Sequence, residues 1–197
     1  MNVIFFVSTN IHKYYEIKSI LQDRITDLNL IFYRRTLIEI QDDKLEKIAI
    51  EKAKSAYNTV QRPIIIEDDG LFINSLNGFP GQYSSYVFKS IGNRGILRLL
   101  IGNKDRSAFF KSIIVYSNGD IAKAFSGQIN GKISSTITYG GWGYDPIFIP
   151  WNNHDNNENK TFATLNKTNK KNELSHRRIA LDKFVKWFTQ NNKLKKL

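Results

Sequence analysis

The chain has 197 residues, enough for one substantial core with a small appended lobe, and at 41% hydrophobic and 24% charged it has the balance of an ordinary globular protein. It contains no cysteine, which excludes disulfides and thiolate metal ligands, and its formal net charge of +11 fits nucleic acid, an anionic small substrate or a lysine-rich surface. No apolar run approaches the ~20 residues needed to span a bilayer, and the opening lacks a basic leader, so no membrane association and a cytoplasmic location are expected.

Residues 2–7 are apolar after Asn2 and predict a buried strand. Ser8-Thr9-Asn10 is a turn and capping cluster, and the helix after it places Tyr14, Ile17, Ile20 and Leu21 on one side. Residues 28–33 predict a second strand. A second helix follows from about Lys44 to Val60, with the stripe Leu45, Ile48, Ala49, Lys52, Ala53 and Ala56. Residues 63–67 predict a third strand, and this β-α-β-α-β alternation argues for an α/β protein with a mixed or parallel sheet.

Asn77 to Gly81 then reads as a loop, and a short helix is expected around Arg94–Ile101. Phe109–Ser117 and Ala122–Ile129 predict a hairpin across the turn Asn118-Gly119, with a further turn at Asn130-Gly131. This pairing suggests a β-rich second lobe, about 107–135, within a single domain of residues 1–197. Gly140 to Pro146 is a glycine-rich turn, Ile147-Phe148-Ile149 a buried strand, and a last helix runs from about Glu173 to Gln190 on Leu181, Phe184, Val185 and Phe188. Asn152 to Asn159 reads as an exposed loop, and Lys193, Lys195 and Lys196 as a solvated tail.

Five segments could carry chemistry. Glu67-Asp68-Asp69-Gly70 places three carboxylates at the expected end of a buried strand, and Glu39 is a further acid upstream. Such acids either cap a helix or turn in solvent or hold a divalent cation, and magnesium takes one or two carboxylates together with phosphate oxygens. Ser8 to Lys13 opens a helix, where backbone N–H groups bind anions and Lys13 adds positive charge, or else it is a capped helix start with a solvent-facing lysine. Lys52 lies on an apolar stripe, where it must either snorkel or meet an anion. Gly140 to Pro146 offers close backbone approach, a flat Trp142 face and Asp145 as an acceptor, or else a structural turn on a core tryptophan. Lys171 and Ser175-His176-Arg177-Arg178 put positive charge at the start of a helix, against its dipole, which hints at an anionic or electron-rich partner.

In order and spacing these phrases resemble the inosine triphosphate pyrophosphatase (Ham1-like) family, archaeal members most of all. The matching phrases are Ser8-Thr9-Asn10-x-x-Lys13-x-x-Glu16, Glu67-Asp68-x-Gly70-Leu71, Leu76 to Ser84, Gly141 to Pro146, Lys160-Thr161-Phe162-Ala163 and Ser175-His176-Arg177. The resemblance implies an elongated, two-lobed α/β fold with a long central mixed sheet, an active-site cleft between the lobes, and a homodimer. It implies magnesium-dependent hydrolysis of ITP, dITP and XTP to the monophosphate and pyrophosphate, with no nucleic acid required. Carried across, Ser8, Thr9, Asn10 and Lys13 hold the triphosphate with Lys52 assisting, and Glu39 and Asp68 are metal-associated. Asp68 is the proton acceptor. Trp142, Gly143, Tyr144 and Asp145 form the base pocket, joined by Lys171, His176 and Arg177. Two positions depart from the common pattern: Thr9, where many members have glycine, and Asp69, where many have serine. Asp69 is grouped with the substrate-binding residues. The alternatives are a basic nucleic-acid-binding protein without triphosphate turnover, and a pyrophosphatase of other specificity. A Nudix-like hydrolase is disfavoured because the chain lacks the Glu-rich helix of that class.

Overall fold

The computed structural model describes residues 2–151, 159–168 and 170–194. The expectations for the Asn152 to Asn159 loop, apart from Asn159, and for Lys195 and Lys196 in the tail lie outside the described residues. The chain divides into two compact units, one within Met1–Asp68, Ser112–Gly127 and Arg177–Leu197, the other within Asp69–Lys111 and Gln128–His176. Among the described residues, seven strands make one mixed sheet in the order β2-β1-β3-β5-β6-β7, with β4 beside β3: β1 is Asn2–Ser8, β2 Leu28–Arg34, β3 Ile64–Ile73, β4 Pro80–Gly81, β5 Ser107–Ser117, β6 Ala122–Ile133 and β7 Phe148–Pro150.

In the first unit, helix α1 (Ile11–Gln22) links β1 to β2, and helix α2 (Leu45–Val60) links β2 to β3. β1 pairs in parallel with both β2 and β3. Side chains alternate along each strand, so one face of the sheet collects Ile4, Phe6, Ile65, Ile114 and Tyr116. These pack against Ile17, Ile20 and Leu21 of α1 and against Leu181, Phe184 and Phe188 of helix α6 (His176–Leu194). The opposite face collects Val7, Ile64, Ile66, Ile113 and Val115 beneath Leu45, Ala49, Ala53 and Ala56 of α2. The expected stripes of α1 and α2 are the buried ones, Tyr14 and Lys52 being partly exposed.

The second unit contains helix α3 (Ser84–Leu99), the two short helices α4 (Phe162–Asn166) and α5 (Lys171–Leu174), and strands β4 and β7. β6 and β7 are antiparallel, with Gly131 opposite Pro150. Phe110 anchors an aromatic cluster with Phe148 at 4.7 Å and Phe162 at 6.1 Å.

Four expectations are corrected. β3 does not end at the acids but runs on through them to Ile73, because Leu71, Phe72 and Ile73 resume the apolar pattern and Leu71 and Phe72 pair with β4. Helix α3 begins at Ser84 rather than near Arg94, and Gly92, at φ +60° and ψ −166°, breaks it into two pieces, only the second of which the apolar pattern marked. Asn130-Gly131 is no turn: both residues lie inside β6, where Gly131 lets β7 approach closely. The last helix is two, α5 and α6, parted by an extended Ser175 at φ −70° and ψ 150°. No helix among the described residues is long and apolar enough to cross a membrane.

A Cβ at Gly131 would stand 2.3 Å from the Ile149 carbonyl oxygen and 2.6 Å from the Phe148 ring. Gly131→Ala is therefore expected to lower unfolding free energy by about 1–3 kcal/mol, read by chemical denaturation, because backbone on a paired strand cannot step aside.

Candidate active site

In the first unit the strand order reverses between β1 and β3, which leaves the carboxyl end of β1 at a switch point where α/β sheets bind ligands. The chain there is Ser8-Thr9-Asn10. Asn10 caps α1: its Oδ1 accepts from the backbone N–H of His12 at 3.0 Å and of Lys13 at 3.4 Å, and its own N–H donates to Ser8 Oγ at 3.0 Å. Thr9 is outside the left-handed region, so this turn does not require a glycine.

Because β3 continues through the acids, its alternation sends them to opposite faces. Glu67 shares the face of Ile65, towards α1 and α6, and is only 4% exposed. Its Oε2 lies 2.8 Å from Lys13 Nζ, and its Oε1 accepts from Arg177 Nε at 3.0 Å and from Ser112 Oγ at 2.7 Å. Arg177, 1% exposed, also reaches Glu16 through Nη1 at 2.8 Å. Two buried carboxylates are thus balanced by two cations.

Asp68 shares the opposite face, that of Ile64 and Ile66, where α2 lies. Lys52 of α2 donates to Asp68 at 3.2 Å and to Glu39 at 2.8 Å. The lysine on the apolar stripe therefore meets anions instead of snorkelling. Burial opposes its charge, but the Asp68 and Glu39 carboxylates outweigh that and hold its pKa above the ordinary 10.5. Convergence of two carboxylates on one ammonium shows that Glu39 and Asp68 can share a positive charge, and an all-oxygen pair of this kind suits a hard divalent cation.

The second unit holds the residues expected around a base. Positive φ at Gly140, Gly141 and Gly143 shapes the turn, and a Cβ on Gly141 would lie 2.7 Å from Asp145 Cβ. The buried Asp145 accepts from Lys171 Nζ at 2.9 Å and from the Trp142 backbone N–H at 3.3 Å. The Lys171 ammonium also sits 5.0 Å from the centre of the Trp142 ring, a cation–π distance. Tyr144 donates to the Ser84 carbonyl at 3.0 Å, and burial raises its pKa. Asn93, just past the Gly92 break, donates from Nδ2 to the Gly143 carbonyl at 3.1 Å. His176 stacks on Phe110 at 4.7 Å, with Nε2 3.6 Å from the Asp69 carboxylate.

The structure therefore groups Lys13 with Arg177, Lys52 with Glu39 and Asp68, Lys171 with Trp142 and Asp145, and His176 with Asp69. Glu67, expected in one acid group with Asp68, instead joins Lys13 and Arg177. Sequence reasoning missed Ser112 and Asn93, and it quoted Ser84 in a matching phrase without giving it a role. A serine opening the otherwise apolar run Ile113-Ile114-Val115 was the available signal for Ser112; Asn93 gave none.

Two measurements check these pairings. The Lys52 pair stabilises the fold fully below the unfolded value of 10.5 and loses that contribution as pH rises through the higher folded value. The stability deficit of Lys52→Met should then stay constant between about pH 7 and 9 and shrink above 10.5 in denaturation series. Lys171→Met strands the buried Asp145 charge and should cost about 3–5 kcal/mol, while Lys171→Met/Asp145→Asn should cost less than the two single changes summed.

Known proteins resemble this chain over most of its length. The Ham1 family model matches residues 4–187. The dITP/XTP pyrophosphatase of Korarchaeum cryptofilum is 45% identical over 172 residues, 87% of this chain and 88% of that protein. The dITP/XTP pyrophosphatase of Thermococcus kodakarensis is 46% identical over 156 residues, 79% of this chain and 81% of that protein. Among solved structures, the Ham1 protein of Staphylococcus aureus superposes with a TM-score of 0.77 at 29% identity, covering 96% of this chain and 100% of that one. A HAM1 protein from Coxiella burnetii gives 0.77 at 28% identity over the same shares. With most of its length matched by the family and by these relatives, the chain belongs to the Ham1 family.

Proposed function

We propose that this protein hydrolyses the non-standard purine nucleoside triphosphates ITP, dITP and XTP to the monophosphate and pyrophosphate, as a magnesium-dependent, cytoplasmic homodimer. The observation that carries the reading is the convergence of Glu39 and Asp68 on a single cationic group, in a chain whose relatives are dITP/XTP pyrophosphatases. Glu39 and Asp68 hold the magnesium ion, which supplies neutralisation of phosphate charge when bound.

Ser8, Thr9, Asn10 and Lys13 bind the triphosphate at the start of α1, and Lys52 adds a second ammonium. Asp68 orients a water and takes its proton as the water oxygen bonds to the α-phosphorus. The bond from that phosphorus to the bridging oxygen breaks, and pyrophosphate leaves with the electron pair. Trp142 stacks on the purine, with Gly143, Tyr144, Asp145, Lys171 and His176 around it, and Asp69 supports His176. Arg177 favours a 6-oxo purine. A 6-amino group presents a donor where the site also presents donors, so adenine leaves buried groups unpaired and is rejected.

A panel of nucleoside triphosphates with magnesium, scored for pyrophosphate against phosphate, tests the reading directly. The expected result is pyrophosphate from dITP and XTP and little turnover of ATP. Salt-sensitive duplex binding with no turnover of any triphosphate would overturn it in favour of a nucleic-acid binder. Asp68→Asn should nearly abolish turnover in a folded protein, and a kcat within about tenfold of the parent would move the proton-acceptor role elsewhere. Arg177→Ala should lower the ITP-to-ATP ratio of kcat/KM, and an unchanged ratio would remove Arg177 from base recognition.

A further inference from the structure

Strand β5 is buried without interruption from Ser112 to Ser117, and Ser112 itself is 0% exposed. A hydroxyl there needs a buried partner, and its partner is the carboxylate of Glu67, 2.7 Å away. We propose that Ser112 is a positioning residue: its hydroxyl fixes the Glu67 carboxylate so that Glu67 holds the Lys13 ammonium in place for the triphosphate. The inference rests on the function proposed above, in which Lys13 binds phosphate.

Glu67 Oε1 receives two donors, Ser112 Oγ at 2.7 Å and Arg177 Nε at 3.0 Å, which come from different elements, β5 and α6. Two donors on one oxygen set the rotation of the carboxylate plane. The other oxygen, Oε2, is thereby held in ion-pair contact with Lys13 Nζ, 2.8 Å away. A lysine ammonium rides on a flexible four-carbon stem and takes its position from what it touches. With the Ser112 bond gone, Oε1 would keep only the Arg177 donor, and the ion pair of Oε2 with Lys13 would loosen. Ser112 does not touch substrate, so it acts only through Glu67 and Lys13. A lysine that grips the triphosphate equally in the ground and transition states contributes to binding, so its misplacement shows in KM and not in kcat.

The test compares Ser112→Ala, Ser112→Thr and Ser112→Val with the parent, each first shown to be folded by its thermal transition. KM and kcat are measured on dITP with magnesium, and Kd for inorganic tripolyphosphate by calorimetry. Loss of one bond to a charged acceptor predicts that Ser112→Ala and Ser112→Val raise both KM and the tripolyphosphate Kd by about 5–20-fold, with kcat within about threefold of the parent. Ser112→Thr, which keeps a hydroxyl in nearly the shape of valine, should restore both to within about threefold. In a Lys13→Met background, Ser112→Ala should add little, because the two act through one grip.

Unchanged KM and tripolyphosphate Kd in folded Ser112→Ala would overturn the proposal, as would Ser112→Thr as impaired as Ser112→Val. A loss confined to kcat would do the same, as would full additivity with Lys13→Met. A parent that turns over no triphosphate would refute the proposed function alone, since tripolyphosphate affinity still reads the hold of Ser112 on Lys13.

Discussion

One carboxylate sets the terms for the first unit. Glu67 sits inside a strand, with a side chain that has no solvent exposure, and a charge taken out of water there is tolerated only when paired and hydrogen-bonded. The chain answers with Lys13 from α1, Arg177 from α6 and Ser112 from β5, and it balances Arg177 with Glu16. These residues lie far apart in sequence, so the first helix, the last helix and the middle of the sheet are tied to one another by a single side chain.

The same strand separates two kinds of work. Alternation along β3 gives Glu67 to the α1 and α6 face and Asp68 to the α2 face. Neighbouring acids therefore pair with different cations, Glu67 with Lys13 and Arg177, and Asp68 with Lys52. Gly70 then lets β4 come close, since a Cβ there would stand 2.5 Å from the Gly81 carbonyl oxygen. In the second unit, the ion pair of Lys171 with Asp145 and the hydrogen bond of Tyr144 to Ser84 hold the Trp142 turn from behind, leaving its shape to backbone angles that only glycines adopt readily.

Much of this was legible in the residues. The strand–helix alternation through Val60, the apolar stripes of α1 and α2, and the capping cluster before α1 all follow from local periodicity and chemistry, and the structure carries them with boundaries shifted by a residue or so. What escaped depended on partners distant in sequence. Three carboxylates in a row read as a strand end, because the apolar residues of β4 that pair with Leu71 and Phe72 are not visible locally. Asn130-Gly131 has the composition of a turn, yet the approach of β7 is what makes glycine necessary there. Helix α3 was half seen because its first turns, Ser84 to Ile91, expose Tyr86, Phe88 and Ile91 and so lack a clean stripe. The lysine on the α2 stripe was ambiguous until Glu39 and Asp68 were placed beside it.

The acids that converge on Lys52 are mounted unequally. Asp68 belongs to a strand hydrogen-bonded within the sheet, whereas Glu39 comes from the stretch between β2 and α2 that has no regular secondary structure and leaves most of its side chain in solvent. One acid is held by the strand ladder and the other by a connecting segment alone. Substitutions in residues 35–44 can therefore shift where Glu39 meets Lys52 while the sheet beneath keeps its register.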